Sequence, residues 1–247
     1  RMFEKLSDYT SEFVIAGRDD KNLSSCDLGN AVRFSIYNSS KYQAKDIQYH
    51  PLKTSFRVNG LKFEISLPGS HNLYNALACI AFLEELGISL EKISGILPEF
   101  KGIERRFDIH LNNGKYIVVD DYAHNPHKIF SLMQTMQRIS RNVCYIFQPH
   151  GFGPTRLMKN GYIATFSDNL RDSDHLVMLP IYYQGGTASK DISSTDITDA
   201  VKASGKSAET IEGRDMIFDF LGRYDTYVVF GARDDSLSDL AEMISEN

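Results

Sequence analysis

A concentrated set of polar side chains follows four apolar residues in segment 116–130. Its members are Asp120, Asp121, Tyr122, His124 and Asn125. An acid here can help to cap a helix that begins near Pro126, because proline is favoured in the first helical turn. His124 and His127, three residues apart, could contribute to a metal site, although one such pair is not a full ligand set. The remaining interpretation is ligand binding where a strand ends.

Polar and glycine-containing segments follow three further predicted strands. They are 149–156 with His150, Thr155 and Arg156, 182–186 with Tyr182 and Tyr183, and 231–235 with Arg233 and Asp234. In a parallel sheet, ligands bind outside the carboxyl ends of the strands. These strand ends therefore predict one binding site. Each of these residues also has an ordinary interpretation. His150 is typical of a hydrogen-bonded loop residue, and the two tyrosines are typical of packing residues. Arg105 and Arg106 are typical of a solvated pair.

The secondary-structure pattern changes near residue 106. Before it, β-rich runs at 12–17, 32–38 and 55–67 lead into helices that begin at Ser70 and Ser89. Asn59-Gly60 predicts a hairpin, because a type I′ turn needs positive φ at both central residues. After residue 106, apolar strands alternate with amphipathic helices, which is typical of a parallel sheet covered on both faces. We therefore predict an α/β protein with a domain boundary between residues 106 and 107.

Composition excludes several classes of protein. The net charge of −5 gives no support for a broad nucleic-acid-binding surface. The sequence contains no apolar run of about 18 residues, so no membrane span is predicted. The start of the chain lacks the pattern of a signal peptide. Three widely spaced cysteines fit reduced thiols, so we expect a cytoplasmic protein. Neither GxxxxGK[ST] nor GxGxxG occurs in the sequence.

Four segments together resemble the Mur ligase family. They are GSHNLYNALACIAFLEELGI at 69–88, GIERRFD at 102–108, VVDDYAHNP at 118–126 and YIFQPHGFGPTR at 145–156. The likeness is greatest to the branch that attaches L-alanine, or recycled murein tripeptide, to a muramoyl carboxylate. The resemblance implies a Rossmann-like C-terminal domain at 107–247. It also implies that residues 1–106 form the β-rich and helical closing part of a central ATPase domain.

The resemblance implies an amide ligase of peptidoglycan synthesis or recycling. In this family ATP phosphorylates the carboxylate of a UDP-N-acetylmuramate-type substrate, and an amino acid or peptide attacks the acyl phosphate. His71, Asn72 and Asn75 match family positions around the adenine. Asp121 matches an acid that accepts hydrogen bonds from the ribose hydroxyls, and Arg106 an arginine that reaches the phosphates.

The resemblance also implies residues for the reacting junction. Tyr122 and His124 match positions where the amino substrate meets the acyl phosphate, and His150 faces the same junction. The implied catalytic set is therefore His124, Tyr122 and Arg106, with Tyr122, His124 and His150 binding substrate.

The sequence departs from the family in two turns. The alanine-adding branch continues QPH with an arginine at once and another three residues later, where this chain has Gly151 and Pro154. Either Arg156 binds the substrate carboxylate from a position shifted by two residues, or the amino substrate differs. The GAGD-like turn of the family is GARDD here, with Arg233 as an added cation.

The family's phosphate loop and Mg²⁺ ligands lie in a preceding part of the central domain. We therefore expect this chain to be a fragment, inactive alone and without metal ligands of its own. A Mur-like module that only binds a nucleotide or peptide is an alternative, which an upstream GxxGK[ST] loop would exclude. Another ligase of the superfamily, of folylpolyglutamate- or cyanophycin-synthetase type, is a further alternative, although the FQPH segment argues against it.

Overall fold

The structure, a computed structural model, describes residues 2–247 and divides into two compact units. The first unit runs to Lys101 and the second begins at Gly102. The predicted assignment of 1–106 and 107–247 to two family domains remains a prediction.

The first unit combines two small sheets with helices. Its elements are α1 Met2–Asp8, β1 Val14–Gly17, α2 Lys21–Ser24, β2 Ala31–Ser35, β3 Tyr42–Gln43, β4 Lys45–Tyr49, β5 Thr54–Val58, β6 Leu61–Ile65, α3 Ser70–Glu85, α4 Leu90–Ile96 and a 3₁₀ turn Leu97–Glu99. Strands β1, β2 and β3 form a parallel sheet, and β4, β5 and β6 an antiparallel one. Asn59 and Gly60 have φ of 49° and 85°, which confirms the predicted hairpin.

Helix α3 forms because its apolar residues recur on one face. Leu73, Leu77, Ile80 and Ala81 are all buried on that face, as the helical spacing predicts. Gly87 follows the helix with φ of 87°, the left-handed conformation that glycine adopts at helix ends. The buried face fixes which residues of α3 point outward.

The second unit is built on one six-stranded sheet. Its elements are β7 Asp108–Asn112, β8 Ile117–Asp121, α5 Pro126–Ile139, β9 Val143–Gln148, α6 Phe152–Asn169, β10 His175–Met178, α7 Thr195–Ala203, β11 Ala208–Thr210, a 3₁₀ helix Arg214–Phe220, β12 Thr226–Gly231 and α8 Ser236–Glu246. The strand order is β11-β10-β9-β12-β8-β7, and every pair is parallel except β7 with β8. The prediction of an α/β fold with a parallel-rich sheet is confirmed.

Helices cover both faces of this sheet, so its central strands β9 and β12 are buried along their whole length. Residues that alternate along a strand point to opposite faces. Ile146 and Val229 belong to the core that includes Leu237 and Leu240 of α8. Phe147, one position further on β9, contacts the aromatic rings of α6 instead.

One helix begins earlier than the sequence predicts. Helix α6 starts at Phe152, inside the segment 149–156 that was expected to be a polar strand end, so Thr155 and Arg156 are helical. Gly151 precedes it with φ of 68°, and Pro154 lies in the first turn, where a missing N–H costs no helical hydrogen bond. Strand β11 and the 3₁₀ helix were not predicted.

Candidate active site

The carboxyl ends of β8, β9 and β12 are neighbours in the sheet. The chain proceeds from β8 across to β9, β10 and β11, and then returns to place β12 between β8 and β9. Ligands of doubly wound sheets bind where the strand order reverses in this way. The predicted polar segments after these three strands therefore meet at the expected place.

Three predicted residues form a row of rings at this edge. The centroids of Tyr122 and His124 are 5.6 Å apart, and those of His124 and His150 are 5.8 Å apart, both with edge-to-face geometry. The Arg105 guanidinium lies 5.2 Å from the Tyr122 ring centroid. The structure thus brings together Tyr122, His124 and His150 as the sequence predicts.

His124 is oriented by its own loop. Its Nδ1 lies 2.9 Å from the carbonyl oxygen of Tyr122, and its own carbonyl accepts a 2.7 Å hydrogen bond from the Tyr162 hydroxyl. A carbonyl can only accept, so Nδ1 carries the proton in this contact. Nε2 of the neutral ring is then a proton acceptor.

His150 is held by an extension of the sheet beyond β9. The Tyr182 N–H donates to the Pro149 carbonyl, and the Gly151 N–H to the Tyr182 carbonyl, each at 2.8 Å. Burial lowers the pKa of His150, and the nearby His124 and Arg233 lower it further. The lowered pKa favours the neutral form of the His150 imidazole near pH 7.

Asp121 lies at the end of β8 and is held by backbone groups. Its carboxylate accepts hydrogen bonds from the N–H groups of Phe107 at 2.8 Å and Ala123 at 2.7 Å. Burial raises the pKa of Asp121 to about 6, although both backbone donors oppose the rise. Each oxygen retains one lone pair for a further donor. The ribose-binding role remains a prediction.

Asp120 forms a buried ion pair that sequence reasoning missed. Arg105 donates from Nε to its carboxylate at 3.2 Å, from Nη1 to Asp235 at 3.3 Å and from Nη2 to the Gly231 carbonyl at 2.9 Å. Burial raises the pKa of Asp120, while the Arg105 guanidinium works against that rise. The expectation of a solvated arginine pair is wrong for Arg105, which is buried, whereas Arg106 is exposed.

Helix α5 is capped by a residue other than the two acids. The Asn125 side chain accepts a hydrogen bond from the Lys128 N–H at 3.0 Å. Capping by Asp120 or Asp121 was therefore the wrong interpretation. A buried charge is costly unless it is paired. The acidic Asp120 inside an apolar strand was therefore the signal in the sequence that a buried cation lies next to it.

Arg156 already has a carboxylate partner. Its guanidinium forms an ion pair with Asp191 and also donates to the Ser189 carbonyl at 3.0 Å. Arg156 lies on α6, and Asp191 in the segment between β10 and α7. Its predicted role at a substrate carboxylate remains a prediction.

The three residues predicted around adenine lie on α3 of the first unit. His71 and Asn75 are exposed and four residues apart, so they share one face of the helix. Asn72 is half-buried and donates to the Pro68 carbonyl at 2.8 Å, which leaves its amide oxygen free to accept.

Two features are absent from the part of the chain that the structure describes. Within residues 2–247, no group of three or more His, Cys, Asp or Glu side chains is placed to hold a metal ion. No helix formed by these residues is long and apolar enough to cross a membrane.

Comparison with known proteins identifies the class of protein. Residues 105–244 match the family described as "Mur ligase, glutamate ligase domain", and residues 1–83 the family described as "Mur ligase middle domain". The chain belongs to the Mur ligase family, as the sequence motifs predict.

Several of the similar proteins are named UDP-N-acetylmuramate–L-alanine ligase. A UDP-N-acetylmuramate–L-alanine ligase of Caldanaerobacter subterraneus subsp. tengcongensis is 33% identical over 85% of this chain and 47% of that protein. The crystal structure of a UDP-N-acetylmuramate–alanine ligase from Thermotoga maritima aligns with a TM-score of 0.74 at 27% identity, over 99% of this chain and 53% of that one. A MurF ligase from Thermotoga maritima in complex with ADP shares the fold, with a TM-score of 0.67 at 16% identity over 98% and 56% of the two chains. This chain spans about half the length of these relatives.

Proposed function

We propose that this chain supplies the C-terminal part of an ATP-dependent amide ligase in peptidoglycan synthesis or recycling. The observation that carries the proposal is the row of Tyr122, His124 and His150 at three adjacent strand ends. Family membership and relatives named UDP-N-acetylmuramate–L-alanine ligase support it.

The proposed reaction turns a poor electrophile into a reactive one. A carboxylate oxygen of a UDP-N-acetylmuramate-type substrate takes the γ-phosphoryl group of ATP, giving an acyl phosphate and ADP. The amine of an amino acid or peptide then attacks the carbonyl carbon, the C–O bond to phosphate breaks, and inorganic phosphate leaves. The amine proton passes to a base, for which His124 Nε2 is suited because its Nδ1 is already protonated.

Each unit, taken by itself, carries residues that match nucleotide-binding positions of the family. On the first unit, the outward face of α3 with His71, Asn72 and Asn75 would contact adenine, since an amide both donates to and accepts from a purine edge. On the second unit, Asp121 would accept hydrogen bonds from ribose and the exposed Arg106 would contact phosphate. The ADP complex of a protein with the same fold supports nucleotide binding.

Magnesium enters the proposal as the partner of ATP. When bound, Mg²⁺ would neutralise charge that develops on the phosphates. The family resemblance places the ligands of this ion in a preceding part of the central domain, so we expect them elsewhere in the full-length ligase. We place the reaction in the cytoplasm, in keeping with the free thiols of Cys26, Cys79 and Cys144.

An ATP-dependent phosphate-release assay on the full-length protein tests this function. The assay uses UDP-N-acetylmuramate with a panel of amino acids and murein peptides. Release that requires both the muramoyl substrate and one panel member supports a ligase. Nucleotide binding without release under any combination would contradict it and favour a non-catalytic module.

A further inference from the structure

Arg233 occupies a defined place beside the row of rings. It lies in the turn between β12 and α8, and its backbone N–H donates to the Tyr122 hydroxyl at 3.2 Å. Its side chain is exposed. The turn that carries this arginine is therefore fixed against the same tyrosine that contacts His124.

Neighbouring arginines already have acidic partners. Arg105 pairs with Asp120 and Asp235, Arg156 with Asp191, and Arg214 with Asp234. Within residues 2–247, Arg233 forms no ion pair. Arg106, which is also exposed, is the arginine proposed for phosphate. Arg233 is thus a cation at the candidate site that is available for an anionic substrate group.

The charge of Arg233 also acts on the reacting edge of the site. It contributes to the lowered pKa of His150, after burial and His124. The guanidinium therefore lies close enough to the histidine pair for its field to matter there. A carboxylate that approached His150 would gain from the same field.

We propose that Arg233 binds the carboxylate of the amino substrate and thereby selects an amino acid or peptide with a free carboxylate. The assignment rests on the proposed ligase function and replaces Arg156 in that role. An arginine fork can bind both oxygens of a carboxylate at once. It would hold the substrate with its amine towards His124, whose Nε2 accepts the proton.

The backbone at position 233 allows a test with little risk to folding. Arg233 has φ of 65°, in the left-handed region that favours glycine. Arg233→Gly therefore removes the cation while it relieves backbone strain, and its melting temperature should not fall. Arg233→Lys keeps the charge without the fork. Arg141→Ala, at an exposed arginine before β9 at the opposite edge of the sheet, controls for net charge.

The experiment measures KM for the amino substrate and for ATP in full-length wild-type protein and in these variants. The first probes are L-alanine and L-alaninamide, followed by the other panel members and their carboxamides. We expect Arg233→Gly to raise KM for the carboxylate substrate by about 10- to 150-fold. It should also abolish the preference for the carboxylate over the carboxamide and leave KM for ATP unchanged. Arg233→Lys should have a KM for the carboxylate substrate between those of wild type and Arg233→Gly. Arg141→Ala should have the wild-type KM.

Other results would overturn the assignment in distinguishable ways. Unchanged KM and unchanged carboxylate preference in Arg233→Gly, with an active wild type, would refute the role of Arg233 alone. The same effects confined to Arg156→Ala would return the role to Arg156. A wild-type enzyme that released no phosphate with any panel member would refute the proposed function and this assignment together.

Discussion

Two regions of the second unit use neighbouring residues for different purposes. The ion-pair support consists of Arg105, Asp120, Asp235 and the Gly231 carbonyl, and its central pair is buried. The histidine rim consists of Tyr122, His124, His150 and Arg233, and none of these four side chains is fully buried. Asp120 belongs to the ion-pair support, whereas the next residue, Asp121, lies outside it and directly precedes Tyr122 of the histidine rim. Alternation along β8 separates a charge that holds strands together from one that can accept a ligand.

The comparison has an energetic meaning. A buried charge that loses its partner is expensive, whereas an exposed side chain at a site can be replaced at little cost to folding. Changes in the support should therefore reduce stability, and changes in the rim should reduce turnover. Four predictions test that division, beginning with the largest expected effect.

Arg105→Ala should have the largest effect on folding. It leaves Asp120 buried without its cation, which typically costs about 3–5 kcal/mol. Urea denaturation, followed through the unfolding transition of the second unit, measures this loss in the free energy of unfolding. Adding Asp120→Asn should recover part of the loss because no unpaired charge remains, and the exposed Arg106→Ala should change stability by less than about 0.5 kcal/mol. If Arg105→Ala lost no more stability than Arg106→Ala, the ion-pair support would not stabilise the second unit.

His124→Gln should act on turnover and not on folding. Glutamine can still donate to the Tyr122 carbonyl but cannot take up the amine proton, so kcat should fall about 100-fold or more. The free energy of unfolding should stay within about 0.5 kcal/mol of wild type. His127→Gln, at an exposed histidine one turn away on α5, is the matched control and should keep wild-type kcat. Equal rates in both variants would contradict a proton-accepting role for His124.

Acid should weaken ATP binding through Asp121. The pKa of this carboxyl is raised to about 6 by burial, so it is ionised at pH 7 and gains a proton as the pH falls through 6. If the carboxylate accepts from ribose, the apparent KM for ATP should rise about tenfold for each pH unit below 6. The same protonation favours the folded state, because the folded pKa exceeds the unfolded value, and this contribution is lost as the pH rises through 6. A profile in Asp121→Asn identical to wild type between pH 5 and 7 would refute this role.

Asn125→Ala should have the smallest effect. It removes the hydrogen bond to the Lys128 N–H at the start of α5 and should cost about 1 kcal/mol. Asn125→Ser, which retains a capping oxygen, should cost much less. Thermal unfolding compares the three proteins. Equal melting temperatures in all three would show that the helix start does not depend on this cap.

Local sequence signals predicted much of the fold. Asn59-Gly60 predicts its hairpin from two residues, and the apolar spacing of α3 predicts its buried face. The convergence of Tyr122, His124 and His150 followed from the parallel sheet alone, because such sheets align their carboxyl ends. These features depend on periodicity or topology, which a sequence carries directly.

Long-range pairing explains what the sequence did not reveal. Arg105 meets Asp120 15 positions away and Asp235 130 positions away, so nothing beside Arg105 distinguishes it from the exposed Arg106. The ion pair between Arg156 and Asp191 likewise joins residues 35 positions apart. Such contacts decide which cation remains available for a substrate, and only the folded chain displays them.

The most direct test of the proposed ligase function is to measure whether an oxygen atom passes from the muramoyl carboxylate to the released phosphate. Full-length protein would receive UDP-N-acetylmuramate labelled with ¹⁸O in its carboxylate, together with ATP and the active amino substrate. With both carboxylate oxygens labelled, the acyl-phosphate route predicts one ¹⁸O atom in each inorganic phosphate released and the other ¹⁸O atom retained in the carbonyl of the amide product. Unlabelled phosphate, with hydrolysis of ATP uncoupled from the carboxylate, would contradict the proposed reaction.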